Sequence, residues 1–293
     1  MKVAVLGAGA WGTALAIVSA RGGNDVVIWS HTGAVAEFPA GGAVLPNNIL
    51  VTREMSDIAD ADAWLIATPS GFIRETIPKF QNLWSGQNVI ICTKGMEHAK
   101  HKFMSEILDE LMPDVGAAGK LGVLSGPQYA GEVVAGEPTG STLAGPDAVF
   151  SAGRGALPGL ILESTPDIIG ACVCGVGKNA VAITMGYLTG KGAGENERAL
   201  KLTMGWQEII EFGLALGAHE RTFSMLCGLG DLYLTATSKT SRNFSAGLKL
   251  ARGESLGDAT VEGIAAIRGL SVRARELGID LPILGAMVAR LDA

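Results

Sequence analysis

MKVAVLGAGAWGTALAIVSARG, residues 1–22, is the stretch that decides the fold. Lys2–Leu6 reads as a short apolar strand, and Gly7-Ala8-Gly9-Ala10-Trp11-Gly12 follows it directly and opens a helix. Glycines at this spacing let the turn tighten and let a pyrophosphate approach the N–H groups of a helix N-terminus. The same stretch has the outline of a secretory leader, with a lysine, an apolar run and Val18-Ser19-Ala20 in the place of a cleavage site. Gly7, Gly9 and Gly12 interrupt that run, so strand, turn and helix is the better reading. No uninterrupted apolar stretch reaches the ~18 residues of a membrane span. A soluble, cytoplasmic protein without a membrane span is therefore expected.

In a dinucleotide-binding turn of this kind, an acid about 20 residues further on holds the adenosine ribose. Here the second strand ends in Trp29-Ser30-His31-Thr32, with neither Asp nor Glu and with no arginine beside it. NADPH and NADH both remain open as cofactor, and the missing carboxylate leans the reading towards the phosphorylated form.

Working outward, short apolar strands alternate with helical patterns up to about residue 165, as in a parallel sheet flanked by helices. Candidate strands are Lys2–Leu6, Val26–Trp29, Ala63–Thr68, Val89–Thr93, Gly122–Leu124 and Ser141–Ala144. Beyond residue 170 the strand signals stop. Trp206, Ile209, Ile210, Gly213 and Leu214 mark one helix face, with Gly217 as its stop. Ile264, Ile267, Leu270, Ala274 and Leu277 mark another, stopped by Gly278. The fold class is an α/β Rossmann-type N-terminal domain, residues 1–167, followed by an all-α C-terminal domain, residues 168–293. The Ser164-Thr165-Pro166-Asp167 turn is the boundary.

A chain of 293 residues with a net charge of −6 has no broad basic surface for nucleic acid. A small anionic substrate needs only two or three placed cations. The four cysteines, Cys92, Cys172, Cys174 and Cys227, stand in apolar surroundings, and no metal spacing occurs among the cysteines and histidines. Structural thiols and no metal are expected.

Gly175-Val176-Gly177-Lys178-Asn179 sets a lysine and an amide inside an apolar run. A buried lysine is pushed towards a pKa at which it exchanges protons near neutrality. The alternative is a lysine on a helix surface that lays its stem along the core. Thr93-Lys94-Gly95-Met96-Glu97 follows the fourth candidate strand at a carboxyl edge, where open α/β sheets bind ligands. Ser125-Gly126-Pro127-Gln128-Tyr129-Ala130 reads as a tight turn into a helix. Gly228-Leu229-Gly230-Asp231 and Ser241-Arg242-Asn243 add a carboxylate, a guanidinium and an amide, which suit a hydroxylated, phosphorylated small molecule.

Taken in order, GAGAWGTALA from Gly7, TKGME from Thr93, SGPQYAGEV with GEPT from Ser125, GVGKN from Gly175, TF with GLGDL from Thr222, SRN from Ser241 and VEG from Val261 resemble the bacterial-type NAD(P)-dependent glycerol-3-phosphate dehydrogenases. The resemblance spans nearly the whole chain. It implies that Lys178 is the proton donor and acceptor at the reacting carbonyl or alcohol, with Lys94 and Asp231 holding the substrate and orienting that chemistry. It also implies that Gly126, Gln128, Ser241, Arg242 and Asn243 line the glycerol phosphate site. By the same resemblance, Gly7, Gly9, Ala10, Trp11, Gly12, His31, Lys94, Ala130, Arg242 and Glu262 serve the dinucleotide.

The implied reaction is reduction of dihydroxyacetone phosphate to sn-glycerol 3-phosphate, reversible and feeding glycerophospholipid synthesis. The partner is thus a small phosphorylated three-carbon substrate, and the apolar faces of the helical half are compatible with a homodimer. The chain departs from the family at Met204-Gly205, where Arg-Gly is usual, and at Gly194-Glu195-Asn196, where Gly-Asp-Asn is usual. The segment between His31 and Leu45 is also short and lacks a Tyr-Leu-Pro stretch. These departures keep two alternatives open: a related two-domain dehydrogenase for another small hydroxy acid or phosphate, and a non-catalytic dinucleotide-binding sensor.

Overall fold

The computed structural model describes residues 1–37, 45–256 and 262–291. Val261 of the VEG motif and residues 38–44 of the short segment lie outside the described residues. The chain forms two compact units: Met1–Thr93, Met104–Leu124 and Gln128–Ile168 make the first, while Lys94–Phe103, Ser125–Pro127 and Ile169–Ala293 make the second.

The first unit is built on eight strands: β1 (Lys2–Leu6), β2 (Asp25–Trp29), β3 (Ile49–Thr52), β4 (Ala63–Ile66), β5 (Asn88–Ile91), β6 (Leu121–Ser125), β7 (Gly140–Ala144) and β8 (Ile161–Thr165). Their order is β3-β2-β1-β4-β5-β6-β7-β8. Pairing is parallel from β3 through β2, β1, β4 and β5 to β6, and again between β7 and β8. The strand order reverses between β1 and β4, so the turn after β1 opens at the switch point where such sheets bind ligands.

Six helices accompany these strands: α1 (Ala10–Arg21), α2 (Ile73–Thr76), α3 (Met104–Leu111), α4 (Pro113–Ala117), α5 (Ala130–Ala135) and α6 (Asp147–Ala156). Leu15 and Ile17 of α1 pack with Val3, Val5, Ile28, Leu65 and Ile90 of the sheet in one buried apolar cluster. That burial is the main force holding helix to sheet.

The sequence pattern finds six of these strands and misses β3 and β8. Both lie at the edges of the sheet, and most of their residues are exposed or half-exposed, whereas the strands between them are buried at all or all but one position. An edge strand covered on one side needs less apolar sequence and so gives a weaker signal. One correction follows: Lys94 comes after the fifth strand rather than the fourth.

The second unit is helical: α7 (Ile168–Gly190), α8 (Glu195–Ala215), α9 (Asp231–Thr237), α10 (Arg242–Ala251), α11 (Glu262–Glu276) and α12 (Pro282–Leu291). Gly217 and Gly278 adopt the left-handed backbone that ends α8 and α11, φ +87° and +70°. By length and composition α7 is apolar enough to cross a membrane, although Lys178 and Asn179 interrupt its apolar run. Most of it is buried within the protein, as in a core helix. All four cysteines are buried.

Candidate active site

In the first unit the three glycines of the β1 turn serve three purposes. Gly7 takes φ +118°, and a Cβ there would stand 2.8 Å from the Ala67 carbonyl carbon and the Thr68 nitrogen at the end of β4. A Cβ on Gly12 would sit 2.0 Å from the Gly7 oxygen, so α1 closes directly onto the turn. Gly9 faces open space, with nothing within 4 Å of its Cβ position. The tightness of two glycines and the openness of the third make a cradle at the N-terminus of α1, which fits a dinucleotide pyrophosphate. Ala10 begins the helix, and the Trp11 indole donates to the Cys92 carbonyl at 3.0 Å, tying α1 to the end of β5. His31 is exposed beyond β2, its ring 6.3 Å from that of Trp29. Ala130 heads α5. Both polar atoms of the Gln128 amide are buried without a partner among the described residues.

In the second unit a carboxylate holds two lysines. Lys178 lies mid-way along α7, at the level where that helix is wholly buried, with a side chain only 10 % exposed. Asp231 opens α9, and its carboxylate is turned to the lysines instead of capping the helix. One oxygen accepts from Lys178 Nζ at 2.8 Å, and the other accepts from Lys94 Nζ at 2.7 Å. Lys94 also donates to the Gly126 carbonyl at 2.6 Å. Lys178 also donates to Thr235 Oγ1 at 3.0 Å, while the Thr235 hydroxyl donates to Asp231 at 3.2 Å.

Burial lowers the Lys178 pKa from its ordinary value to about 8. The Asp231 charge opposes that shift, and the Lys94 charge reinforces it. Burial pushes the Asp231 carboxyl up, but Lys178 and Lys94 together outweigh it and hold the group below its usual range. The outcome is an ionised carboxylate between two amines, one of which exchanges protons close to neutrality. A protonated amine has three donors. Among the described residues each lysine places two of them on the protein, which leaves one each for a ligand.

Thr235 is the site residue that sequence reasoning misses. Its signal is the four-residue step from Asp231, which stacks the two side chains on one face of α9. Asn179, the neighbour of Lys178 in α7, is buried in a hydrogen-bonded pair. Its carbonyl accepts from Asn243 Nδ2 at 2.7 Å, and its own amide donates to Gly175. Asn243 Oδ1 in turn accepts from the Gly263 N–H at 3.0 Å, so a buried amide pair joins α7, α10 and α11. The SRN segment thus splits three ways: the Ser241 hydroxyl caps α10 by accepting from Phe244 N–H, Asn243 is buried in the amide pair, and Arg242 is exposed with Glu262 3.9 Å away. Met204 lies on an exposed part of α8, and Glu195 is exposed on its first turn, 3.7 Å from Arg198.

A sheet with its strand order reversed at a glycine cradle, followed by a helical unit with a lysine poised for proton transfer, defines a dinucleotide-dependent oxidoreductase. Residues 2–150 match the N-terminal profile of NAD-dependent glycerol-3-phosphate dehydrogenase, and residues 167–292 match its C-terminal profile. Glycerol-3-phosphate dehydrogenase [NAD(P)+] of Parvibaculum lavamentivorans is 37 % identical, with 99 % of this chain and 91 % of that protein aligned. The protein of the same name from Caulobacter vibrioides is also 37 % identical, over 99 % and 92 %. The crystal structure of glycerol-3-phosphate dehydrogenase from Coxiella burnetii superposes with a TM-score of 0.86 at 29 % identity, covering 97 % of this chain and 92 % of that one. A ketopantoate reductase from Ralstonia eutropha, at 17 % identity and a TM-score of 0.65, shares the fold alone. The chain belongs to the NAD-dependent glycerol-3-phosphate dehydrogenase family.

Proposed function

We propose that this chain reduces dihydroxyacetone phosphate to sn-glycerol 3-phosphate with NADH or NADPH, reversibly, and so supplies glycerophospholipid synthesis. The observation that carries the reading is the Asp231 carboxylate held by Lys178 and Lys94, each lysine keeping one N–H without a partner among the described residues. A phosphorylated ketone presents both a carbonyl oxygen and an anion for such donors. When bound, the reduced nicotinamide supplies hydride to the carbonyl carbon. Lys178 donates a hydrogen bond to the carbonyl oxygen and releases its proton as the alkoxide develops. Its lowered pKa makes that release easier, and the opposite step, removal of the alcohol proton, uses the same nitrogen in its neutral form. Lys94 and Asp231 fix the orientation of Lys178 and contribute to binding.

Gly126, Gln128, Ser241, Arg242 and Asn243 complete the substrate site. The unpartnered amide of Gln128 and the exposed guanidinium of Arg242 are the groups best suited to phosphate or hydroxyl oxygens. Gly7, Gly9, Ala10, Trp11, Gly12, His31, Ala130 and Glu262 serve the dinucleotide, together with Lys94 and Arg242. The functional division falls near residue 167, with Lys94 and Gly126 contributed to the second unit by the earlier part of the chain. We read the enzyme as cytoplasmic and homodimeric.

The test follows NADH and NADPH absorbance with purified protein and dihydroxyacetone phosphate, using dihydroxyacetone as the control. Oxidation only with the phosphorylated ketone is expected. Binding of nucleotide without oxidation would overturn the assignment and favour a sensor.

A further inference from the structure

The turn after β2 carries no charged group of its own, yet a charged group from the neighbouring strand lies against it. We propose that Arg53, just past the end of β3, selects a nucleotide carrying a 2′-phosphate on its adenosine ribose. The inference rests on the reading of the first unit as the dinucleotide-binding one. It corrects the expectation, drawn along the chain, that no arginine stands beside Ser30–Thr32.

Strand register brings Arg53 there. Trp29 pairs with Thr52, so the residue that follows β3 emerges level with the residue that follows β2. Two hydrogen bonds hold the two ends together: Ser30 N–H donates to the Thr52 carbonyl at 2.9 Å, and Trp29 Nε1 donates to the Arg53 carbonyl at 3.2 Å. The arginine stem then runs along the turn. A Cβ on Gly33 would meet Arg53 Cδ at 3.3 Å and Cγ at 3.6 Å, so the bare backbone of Gly33, at φ +80°, makes room for it.

The rest of the turn has no competing use for that cation. The Ser30 hydroxyl donates to the Ala34 carbonyl, and the Thr32 hydroxyl accepts from the Ala34 N–H. Their polar groups stabilise the turn itself. No carboxylate occurs from Trp29 to Ala36. Of the acids near Arg53 in sequence, Asp57 accepts from the Thr52 hydroxyl at 2.7 Å. Among the described residues Arg53 has no ion-pair partner, and it is exposed. Beside the position at which an acid would take the ribose 2′-hydroxyl stands an arginine without an ion-pair partner among the described residues, and the planar fork of its guanidinium suits a phosphate dianion.

The experiment measures NADPH and NADH affinity of the full chain without substrate, from nucleotide fluorescence, for the wild type, R53Q and R53K. Arg53 is exposed, and retained NADH binding reports an intact fold. R53Q is expected to weaken NADPH by about 10-fold or more and to leave NADH within about twofold, with R53K between them. Added salt should weaken NADPH binding in the wild type far more than in R53Q. NADH binding together with an unchanged NADPH-to-NADH ratio in R53Q would overturn the role of Arg53 alone. Failure of the wild type to bind either nucleotide would overturn the dinucleotide reading and the role of Arg53 with it.

Discussion

Asp231 Oδ1 lies 2.8 Å from Lys178 Nζ, and the same carboxylate holds Lys94 through its other oxygen. One negative charge thus serves two positive ones, Lys178 buried and Lys94 half-buried, which leaves the cluster with a net charge of about +1 when both lysines are protonated. An anionic substrate compensates that excess. The arrangement ties substrate binding to proton chemistry, because the proton Lys178 gives up is the one whose charge Asp231 stabilises.

The pH dependence follows with a definite sign. Lys178 titrates at about 8, so ketone reduction, which uses its protonated form, should fall as pH rises through about 8. Alcohol oxidation uses the neutral form and should rise through the same region. Asp231→Asn removes the charge that raises the Lys178 pKa, so burial and Lys94 remain to depress it and the break moves to lower pH. Initial rates in both directions across the pH range check this. A break that stays in place in Asp231→Asn would separate the carboxylate from the tuning of Lys178. Lys178→Ala should abolish turnover and leave NADH or NADPH binding nearly unchanged.

Thr235 provides a second readout of the same geometry. Its hydroxyl accepts from Lys178 and donates to Asp231. Thr235→Val keeps the shape but removes an acceptor from the charged amine, at a cost of about 1–2 kcal/mol. The expected result is a lower kcat with the pH break moved down, while Thr235→Ser restores both. A loss of kcat without movement of the break would make Thr235 a packing residue only.

Legibility in the sequence followed the physics of each element. The β1 turn could be read because Gly7, Gly9 and Gly12 act within six residues, and local backbone demands are written locally. The stops at Gly217 and Gly278 could be read for the same reason. Edge strands β3 and β8 could not, since a half-covered strand does not require a continuous apolar run. That omission also hid Arg53, which reaches the turn after β2 only through strand pairing. The motif list brought Lys94, Lys178 and Asp231 forward one by one. That a single carboxylate joins them is a fact of tertiary structure, since Lys94 and Asp231 are 137 positions apart. Asn243 illustrates the opposite case: a polar residue in a polar-looking turn is buried, because its partners Asn179 and Gly263 come from other helices.

The lysine cluster depends on how closely α7 meets its neighbours, and that closeness is set by a pair of glycines. A Cβ on Gly247 of α10 would stand 2.1 Å from the Ile183 carbonyl oxygen of α7, and a Cβ on Gly186 would stand 2.0 Å from the Phe244 carbonyl oxygen. The obstacles are backbone atoms, so no side-chain rotation relieves them. Helices α7 and α10 must separate to admit even one methyl group. Gly247→Ala should therefore destabilise the fold by about 3 kcal/mol, the upper end of ordinary overpacking, although alanine is the better helix former. Separation at this crossing would also strain the Asn243–Asn179 hydrogen bond, formed between the same two helices one residue from Lys178. Urea unfolding should thus show a lower midpoint for Gly247→Ala. Gly285→Ala, on α12 with open space at its Cβ position, should be neutral or slightly stabilising. Equal stability of the two variants would mean that α7 and α10 are not held at this distance in solution.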